Sequence, residues 1–211
     1  MNVSTKVKYI WWASMRCGSR SVSEIMKCYD FINYETGQDV RYYSFSHSCD
    51  VPAEYLNYKI VMQIRNPYSR ALSFWHLYSW KDVNNELVIK NSFEDYVNND
   101  GMITDHYELP AKQFKPAYFI RYENLNEDIL NVPFVDMKQE ETALWYKDCI
   151  LKNPYKNEGI EAPVGALARD SKDERYADWR KYFNQDIADI VYEKCKEQFT
   201  LFNYNKDSWK I

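Results

Sequence analysis

Glycine is scarce in this chain, five among 211 residues, so each place where the backbone needs a positive φ stands out. No Cys-x-x-Cys pair occurs among the five widely spaced cysteines, Cys17, Cys28, Cys49, Cys149 and Cys195. That spacing offers neither a zinc site nor a disulfide framework, and the odd count reads as free thiols in a reducing compartment. No apolar run approaches the ~18 residues of a membrane span, and no charged segment followed by an apolar one opens the chain. A soluble, cytoplasmic chain without a membrane segment is therefore expected. A basic surplus is missing as well: 27 Lys and Arg face 31 Asp and Glu, for a formal net charge of −4. With no excess of cations to neutralise a phosphate backbone, nucleic acid is not an expected partner, although a local basic pocket is compatible.

Aromatic residues, by contrast, are plentiful, with 19 Tyr, 10 Phe and 7 Trp. Tyrosines at this density either line a polar cleft or pack half-buried. Hydrophobic residues at 45% and charged residues at 27% make an ordinary globular balance, and the length suits one domain over 1–211. Apolar, β-rich segments read as strands at 7–13, 58–64 and 117–122. Helical spacing follows through about Tyr29, then from Tyr68 to about Trp80, and again near 92–99, 139–148 and 184–199. The stretch from Asn153 to Asp173, with two prolines and two glycines, reads as a long loop. Strands alternating with helices predict an α/β protein with a central parallel sheet flanked by helices, whose ligands sit at the carboxyl ends of the strands.

Two strand exits carry the chemistry. The first runs Ser14-Met-Arg-Cys-Gly-Ser-Arg-Ser-Val22, a small-residue turn opening a helix. Such a turn aims backbone N–H groups and the positive end of the helix dipole at one spot. Gly18 permits close backbone approach, Ser19 and Ser21 bring hydroxyls, and Arg16 and Arg20 bring fixed charge. The turn lacks the Gly-Lys-Ser/Thr ending of a nucleoside-triphosphatase loop. By itself it is equally compatible with plain structure. The second exit is Arg65-Asn-Pro-Tyr-Ser-Arg-Ala-Leu-Ser73, where Pro67 suits the first turn of a helix. Arg65 and Ser73 are spaced to put a guanidinium and a hydroxyl around one phosphate; the plainer alternative is an arginine ending a strand and a serine facing solvent.

Together these residues carry a resemblance. Met15-Arg-Cys-Gly-Ser-Arg-Ser21 resembles the 5′-phosphosulfate loop of the sulfotransferases that use 3′-phosphoadenosine 5′-phosphosulfate (PAPS), commonly Pro-Lys/Arg-x-Gly-Thr-Thr-Ser. It departs at Met15 and Arg20. Arg65-Asn-Pro-Tyr-Ser-Arg-Ala-Leu-Ser-Phe-Trp75 is similar to the same family's 3′-phosphate motif, nearly residue for residue. Phe119-Ile-Arg-Tyr-Glu-Asn-Leu125 looks like its Arg-Tyr/Phe-Glu-Asp/Asn-Leu strand end, and Phe202-Asn-Tyr204 its Phe-Gly-Tyr ending. The stretch 135–170 matches no part of the family pattern.

The resemblance implies a three-layer, P-loop-like fold and transfer of a sulfuryl group from PAPS to an acceptor hydroxyl, with a carbohydrate as the expected acceptor. It also implies that Arg16, Cys17, Gly18, Ser19, Arg20 and Ser21 hold the 5′ side, Arg16 stabilising the group in transfer, while Arg65 and Ser73 hold the 3′-phosphate. A metal is not expected, since arginine and backbone donors do the neutralising and no ligand cluster is visible. His47 is the first candidate for general base, because carbohydrate sulfotransferases of the heparan 2-O type carry a histidine in a comparable place. His106, in a His-aromatic-x-x-Pro element, is the second and an expected cleft residue. Glu94 and Glu123 are acidic alternatives, although Glu123 better suits holding the strand-end turn, and His76 reads as packing. A basic loop bearing Arg169, Lys172 and Arg175 is placed to touch the nucleotide or to be merely solvated. Two other functions remain compatible: a kinase of related fold, and a nucleotide-binding protein that has lost turnover.

Overall fold

In a computed structural model of the chain, the residues described are 1–40, 46–47, 50–78, 80–83, 86–89, 91–99, 108–151 and 179–210. In chain order the elements are β1 (Asn2–Ser4), β2 (Tyr9–Trp12), α1 (Ser19–Lys27), β3 (Ile32–Asn33), β4 (Lys59–Ile64) and α2 (Pro67–Tyr78). After them come β5 (Trp80–Val83), β6 (Glu86–Ile89), α3 (Phe93–Asn98), α4 (Glu108–Phe114), β7 (Tyr118–Arg121), α5 (Leu125–Asp128), α6 (Glu140–Trp145) and a C-terminal helix, Gln185–Leu201. They form two compact units, Met1–Arg65 with Leu109–Pro154, and Asn66–Glu108 with Tyr155–Ile211.

The first unit is built on a five-stranded sheet of order β3-β1-β2-β4-β7. β2, β4 and β7 are parallel neighbours, in register Trp12 with Met62 and Ile64 with Arg121. β1 runs against both β2 and β3, so the sheet is mostly rather than wholly parallel. The reason is local: four residues, 5–8, join β1 to β2, enough for a hairpin, whereas a parallel pair needs a crossover of a dozen residues or more.

β2 is buried along its whole length, as befits a strand covered on both faces. One face presents Tyr9, Trp11, Ala13, Val61 and Ile120 to Val22, Ile25 and Met26 of α1. Those three helical positions repeat at i, i+3 and i+4, the stripe an amphipathic helix turns inward. Nine residues are too few to hold a helix in water, so this burial, roughly 1.5–3 kcal/mol per large side chain, is what makes α1 persist. On the opposite face Trp12 meets Phe114 of α4 edge-on, ring centres 5.8 Å apart.

Part of the aromatic surplus is core. Phe134 packs against Tyr9, Tyr29 and Phe31 at 4.8, 5.0 and 5.6 Å. The Tyr29 hydroxyl remains paired, 3.0 Å from Thr142 Oγ1 and accepting from the Asp136 amide at 2.7 Å. α6 continues into a π-helical turn, Tyr146–Leu151. Burial pushes the thiols of Cys28 and Cys149 up to about 11 and about 12, so both stay protonated at neutral pH.

In the second unit α2 is buried from Pro67 to His76, and Tyr68 packs on Phe199 of the C-terminal helix at 4.8 Å. His76 is buried between Trp75 and Tyr182. The C-terminal helix closes at Asn203, whose φ of 55° is the left-handed conformation that glycine adopts at least cost. Tyr204 N–H then reaches back to the Phe199 carbonyl at 3.0 Å. Also in this unit, β5 pairs antiparallel with β6. Among the described residues no helix is long and apolar enough to cross a membrane.

Candidate active site

In the first unit the strand exits converge where parallel strands place ligands, at the carboxyl ends of β2, β4 and β7. The turn from β2 into α1 is closed by a Cys17 N–H bond to the Ser14 carbonyl at 3.3 Å and by the Ser19 hydroxyl donating to that same carbonyl at 3.2 Å. Arg16 sits at φ 63° and Gly18 at φ 85°, two left-handed residues in one short turn. Turns of this kind gather N–H groups into an anion-binding concavity. For Arg16 the conformation costs about 1 kcal/mol or more, which the surroundings must supply.

Arg65 supplies part of it. Its Nη1 donates to the Arg16 carbonyl at 3.1 Å, tying the exit of β4 to the turn after β2. The guanidinium also lies 4.1 Å over the ring of Tyr122, the first residue after β7. All three strand ends thus meet at one spot. Gly18 is needed there for space as well as for φ: a Cβ on it would stand 2.8 Å from Tyr122 Cδ2. Gly18→Ala is therefore expected to lose roughly 2–4 kcal/mol, a left-handed penalty plus overpacking, read as a lower urea midpoint. Adding Tyr122→Ala should return the overpacking part; a wild-type midpoint for Gly18→Ala would show that the ring does not press on this turn.

Beneath the turn lies Gln63, buried near the end of β4. It accepts from Trp11 Nε1 at 2.9 Å and donates to the Cys17 carbonyl at 3.2 Å. One side chain therefore holds β2 and the turn together. The signal was readable, since Gln63 is the polar residue inside an otherwise apolar strand run. Cys17 is wholly buried, its N–H on the Ser14 carbonyl and its own carbonyl on Gln63, so it shapes the turn from beneath. Ser21 N–H donates to the Gly18 carbonyl at 3.0 Å, and Arg20 is half-buried in the first turn of α1. No side chain caps that helix and no carboxylate lies in its first turn, which leaves its end electropositive.

His47 stands beside the start of the same turn, exposed, with Nδ1 hydrogen-bonded to the Ala13 carbonyl. A carbonyl can only accept, so Nδ1 carries the proton, and in the neutral ring Nε2 is the nitrogen able to take another. Asn2 positions this segment. Its amide accepts from Ser46 N–H at 2.7 Å and donates to the carbonyls of Ser46 and Trp11 at 2.8 and 3.0 Å. Nothing in the sequence singled out Asn2.

The turn after β7, which presents Tyr122, is held by Asp128. Its carboxylate accepts from Arg121 N–H at 2.8 Å, from Arg121 Nη1 at 3.3 Å and from Asn124 Nδ2 at 3.0 Å. The sequence pointed to Glu123 for this task; Glu123 is exposed, and Asp128 is a buried carboxylate that also holds the strand-end backbone.

Arg16, Cys17, Gly18, Ser19, Arg20, Ser21, His47 and Arg65 therefore share one unit and one end of its sheet. Ser73 is buried on α2 in the second unit. His106 lies outside the described residues, as do Cys49, Arg169, Lys172, Arg175 and the expected 153–173 loop. Among the described residues no group of three or more His, Cys, Asp or Glu is placed to hold a metal. No protein-family model matches the chain, and no curated protein or solved structure matches it either.

Proposed function

We propose that the chain is a sulfotransferase that moves a sulfuryl group from PAPS to an acceptor hydroxyl, a carbohydrate being the acceptor class that its motifs suggest. The observation that carries this reading is a tautomer-fixed histidine bonded at the start of the turn that opens α1, a turn that carries Arg16, runs into Arg20 and is tied by Arg65. An anion fits there. Two left-handed residues curl the backbone of the turn, Gly18 lets the Tyr122 ring pack close against it, and no carboxylate in the first turn of α1 opposes a negative charge. In the same reading the sheet and helices form the three-layer, P-loop-like arrangement, and the free thiols Cys17, Cys28, Cys149 and Cys195 suit a reducing cytoplasm.

PAPS supplies an activated sulfuryl group on a good leaving phosphate. The acceptor oxygen attacks sulfur in line, its bond to sulfur forming as the bond from sulfur to the bridging oxygen breaks. His47 Nε2 takes the hydroxyl proton, and its Nδ1 bond to Ala13 holds the ring in the tautomer that can do so. Arg16 and the first amides of α1 stabilise the negative charge that collects on the departing 5′-phosphate. Arg65 is assigned to the 3′-phosphate, with Ser73 added by the motif it shares with Arg65.

Calorimetry with 3′-phosphoadenosine 5′-phosphate, the expected product, tests the reading against ATP with magnesium. Binding of the bisphosphate and not of ATP is expected. Absence of bisphosphate binding sinks the proposal, and ATP binding in its place would favour a kinase.

A further inference from the structure

We propose that the C-terminal segment Asn205–Lys210 is a strap that fixes the cap of α2 and thereby tunes nucleotide affinity, with Ser208 as its positioning residue. The inference rests on the sulfotransferase reading, because it assigns a task to the Asn of the Arg65-Asn66-Pro67 motif.

Asn66 caps α2 with its own side chain. Oδ1 accepts from Tyr68 N–H at 3.0 Å, while the Asn66 carbonyl accepts from Arg70 N–H at 2.9 Å and from the Ser69 hydroxyl at 3.2 Å. An amide cap needs only its oxygen, so Nδ2 is spare as far as the helix is concerned. Here that nitrogen donates to Ser208 Oγ at 2.8 Å, across 142 residues of sequence. The two bonds engage opposite ends of one planar amide, so together they fix the Asn66 rotamer.

The strap is also attached two residues before Ser208, at Lys206. The Tyr68 hydroxyl donates to the Lys206 carbonyl at 2.7 Å. Burial and the carboxylates of Asp189 and Asp207 hold the Tyr68 hydroxyl well above its usual range, so it remains a donor at any physiological pH. Lys206 in turn reaches Asp189 at 3.6 Å and lies 4.7 Å over the ring of Tyr192, both on the C-terminal helix. The segment is also rigid within itself. Asp207 N–H bonds to Asn205 Oδ1 at 2.8 Å, Ser208 N–H to the Asn205 carbonyl at 3.1 Å, and Lys210 N–H to the Asp207 carbonyl at 2.9 Å.

Asn66 directly follows Arg65 in the chain, so a cap that holds the Asn66 backbone also narrows the backbone freedom of the residue bonded to it. A cap free to change rotamer lets the first turn of α2 fray and blurs the position of the residue before it. A structural tether would be felt in stability; a positioning strap is felt in nucleotide affinity.

The test compares the full-length chain with Ser208→Ala, which removes the acceptor, and Ser208→Thr, which keeps it. Three readouts are taken: the dissociation constant for 3′-phosphoadenosine 5′-phosphate, the thermal midpoint, and hydrogen exchange of the Tyr68 amide. Ser208→Ala is expected to weaken binding about 3- to 10-fold and to speed Tyr68 exchange, with a nearly unchanged midpoint, and Ser208→Thr to restore both. Wild-type affinity in Ser208→Ala overturns the strap while leaving the sulfotransferase reading in place. Failure of the wild-type chain to bind the bisphosphate sinks that reading instead; the strap is then decided on Tyr68 exchange, and unchanged exchange in Ser208→Ala overturns it.

Discussion

His47→Ala is expected to cut turnover by about 100-fold or more and to leave affinity for 3′-phosphoadenosine 5′-phosphate unchanged. The separation follows from what His47 touches. Its Nδ1 bonds to the Ala13 carbonyl, ahead of Arg16 and Gly18, and removing the ring leaves the backbone N–H groups of the turn in place. The segment does not depend on the ring for its place, because Ser46 is tied to Asn2 by two bonds of its own. What disappears is a fixed nitrogen able to accept a proton. Added imidazole should restore part of the turnover, since a diffusing base can occupy the space that the side chain leaves. Steady-state kinetics under saturating donor, with calorimetry on the same preparation, measure both quantities. Full turnover in His47→Ala would move the proton to His106 or to a carboxylate, and lost affinity would make His47 part of the binding surface.

How far the sequence foretold this arrangement depends on the range of each interaction. β2, β4 and β7 were legible because each is an apolar run ended by a polar or charged residue; burial demands such a run of β2 and β4, while β7 is a half-buried edge strand. α1 and α2 were legible from their spacing, and Arg16, Gly18 and Arg65 from their positions at strand exits. β1 and β3 went unseen. Three residues and two residues carry no periodicity, and they become strands only because a neighbour pairs with them. The direction of β1 comes from the four-residue turn that follows it, a constraint on pairing that composition does not show. Asn2, Gln63, Tyr122 and Asp128 act through contacts set by the tertiary fold. Asp128 holds the strand-end turn because the short helix α5 brings this later carboxylate back to Arg121, seven residues away. Arg20, which departs from the family pattern, is seen to stand in the first turn of α1, where a guanidinium adds to the positive end of the helix.

Arg65→Ala is expected to weaken binding of 3′-phosphoadenosine 5′-phosphate about 100-fold, the largest affinity loss for any single side chain at the strand exits. Two losses combine. The guanidinium itself leaves, and a charge-assisted bond to a phosphate contributes roughly 1.5–3 kcal/mol, a factor of about 10 to 150. The Arg16 carbonyl also loses its donor, and the left-handed Arg16 is then free to relax out of the conformation that shapes the concavity. Arg65→Lys separates the two. A lysine keeps the positive charge but presents a compact ammonium in place of a planar fork, so it cannot serve the Arg16 carbonyl and a phosphate with the same geometry. It also stacks less well on Tyr122. An intermediate loss of about 10-fold is expected for it, with stronger salt dependence than the wild type, because more of the remaining attraction is unspecific charge. Calorimetry at two ionic strengths reads these differences. Arg65→Ala binding within threefold of wild type would remove Arg65 from the nucleotide site, and with it the 3′-phosphate contact that the sulfotransferase reading assigns to it.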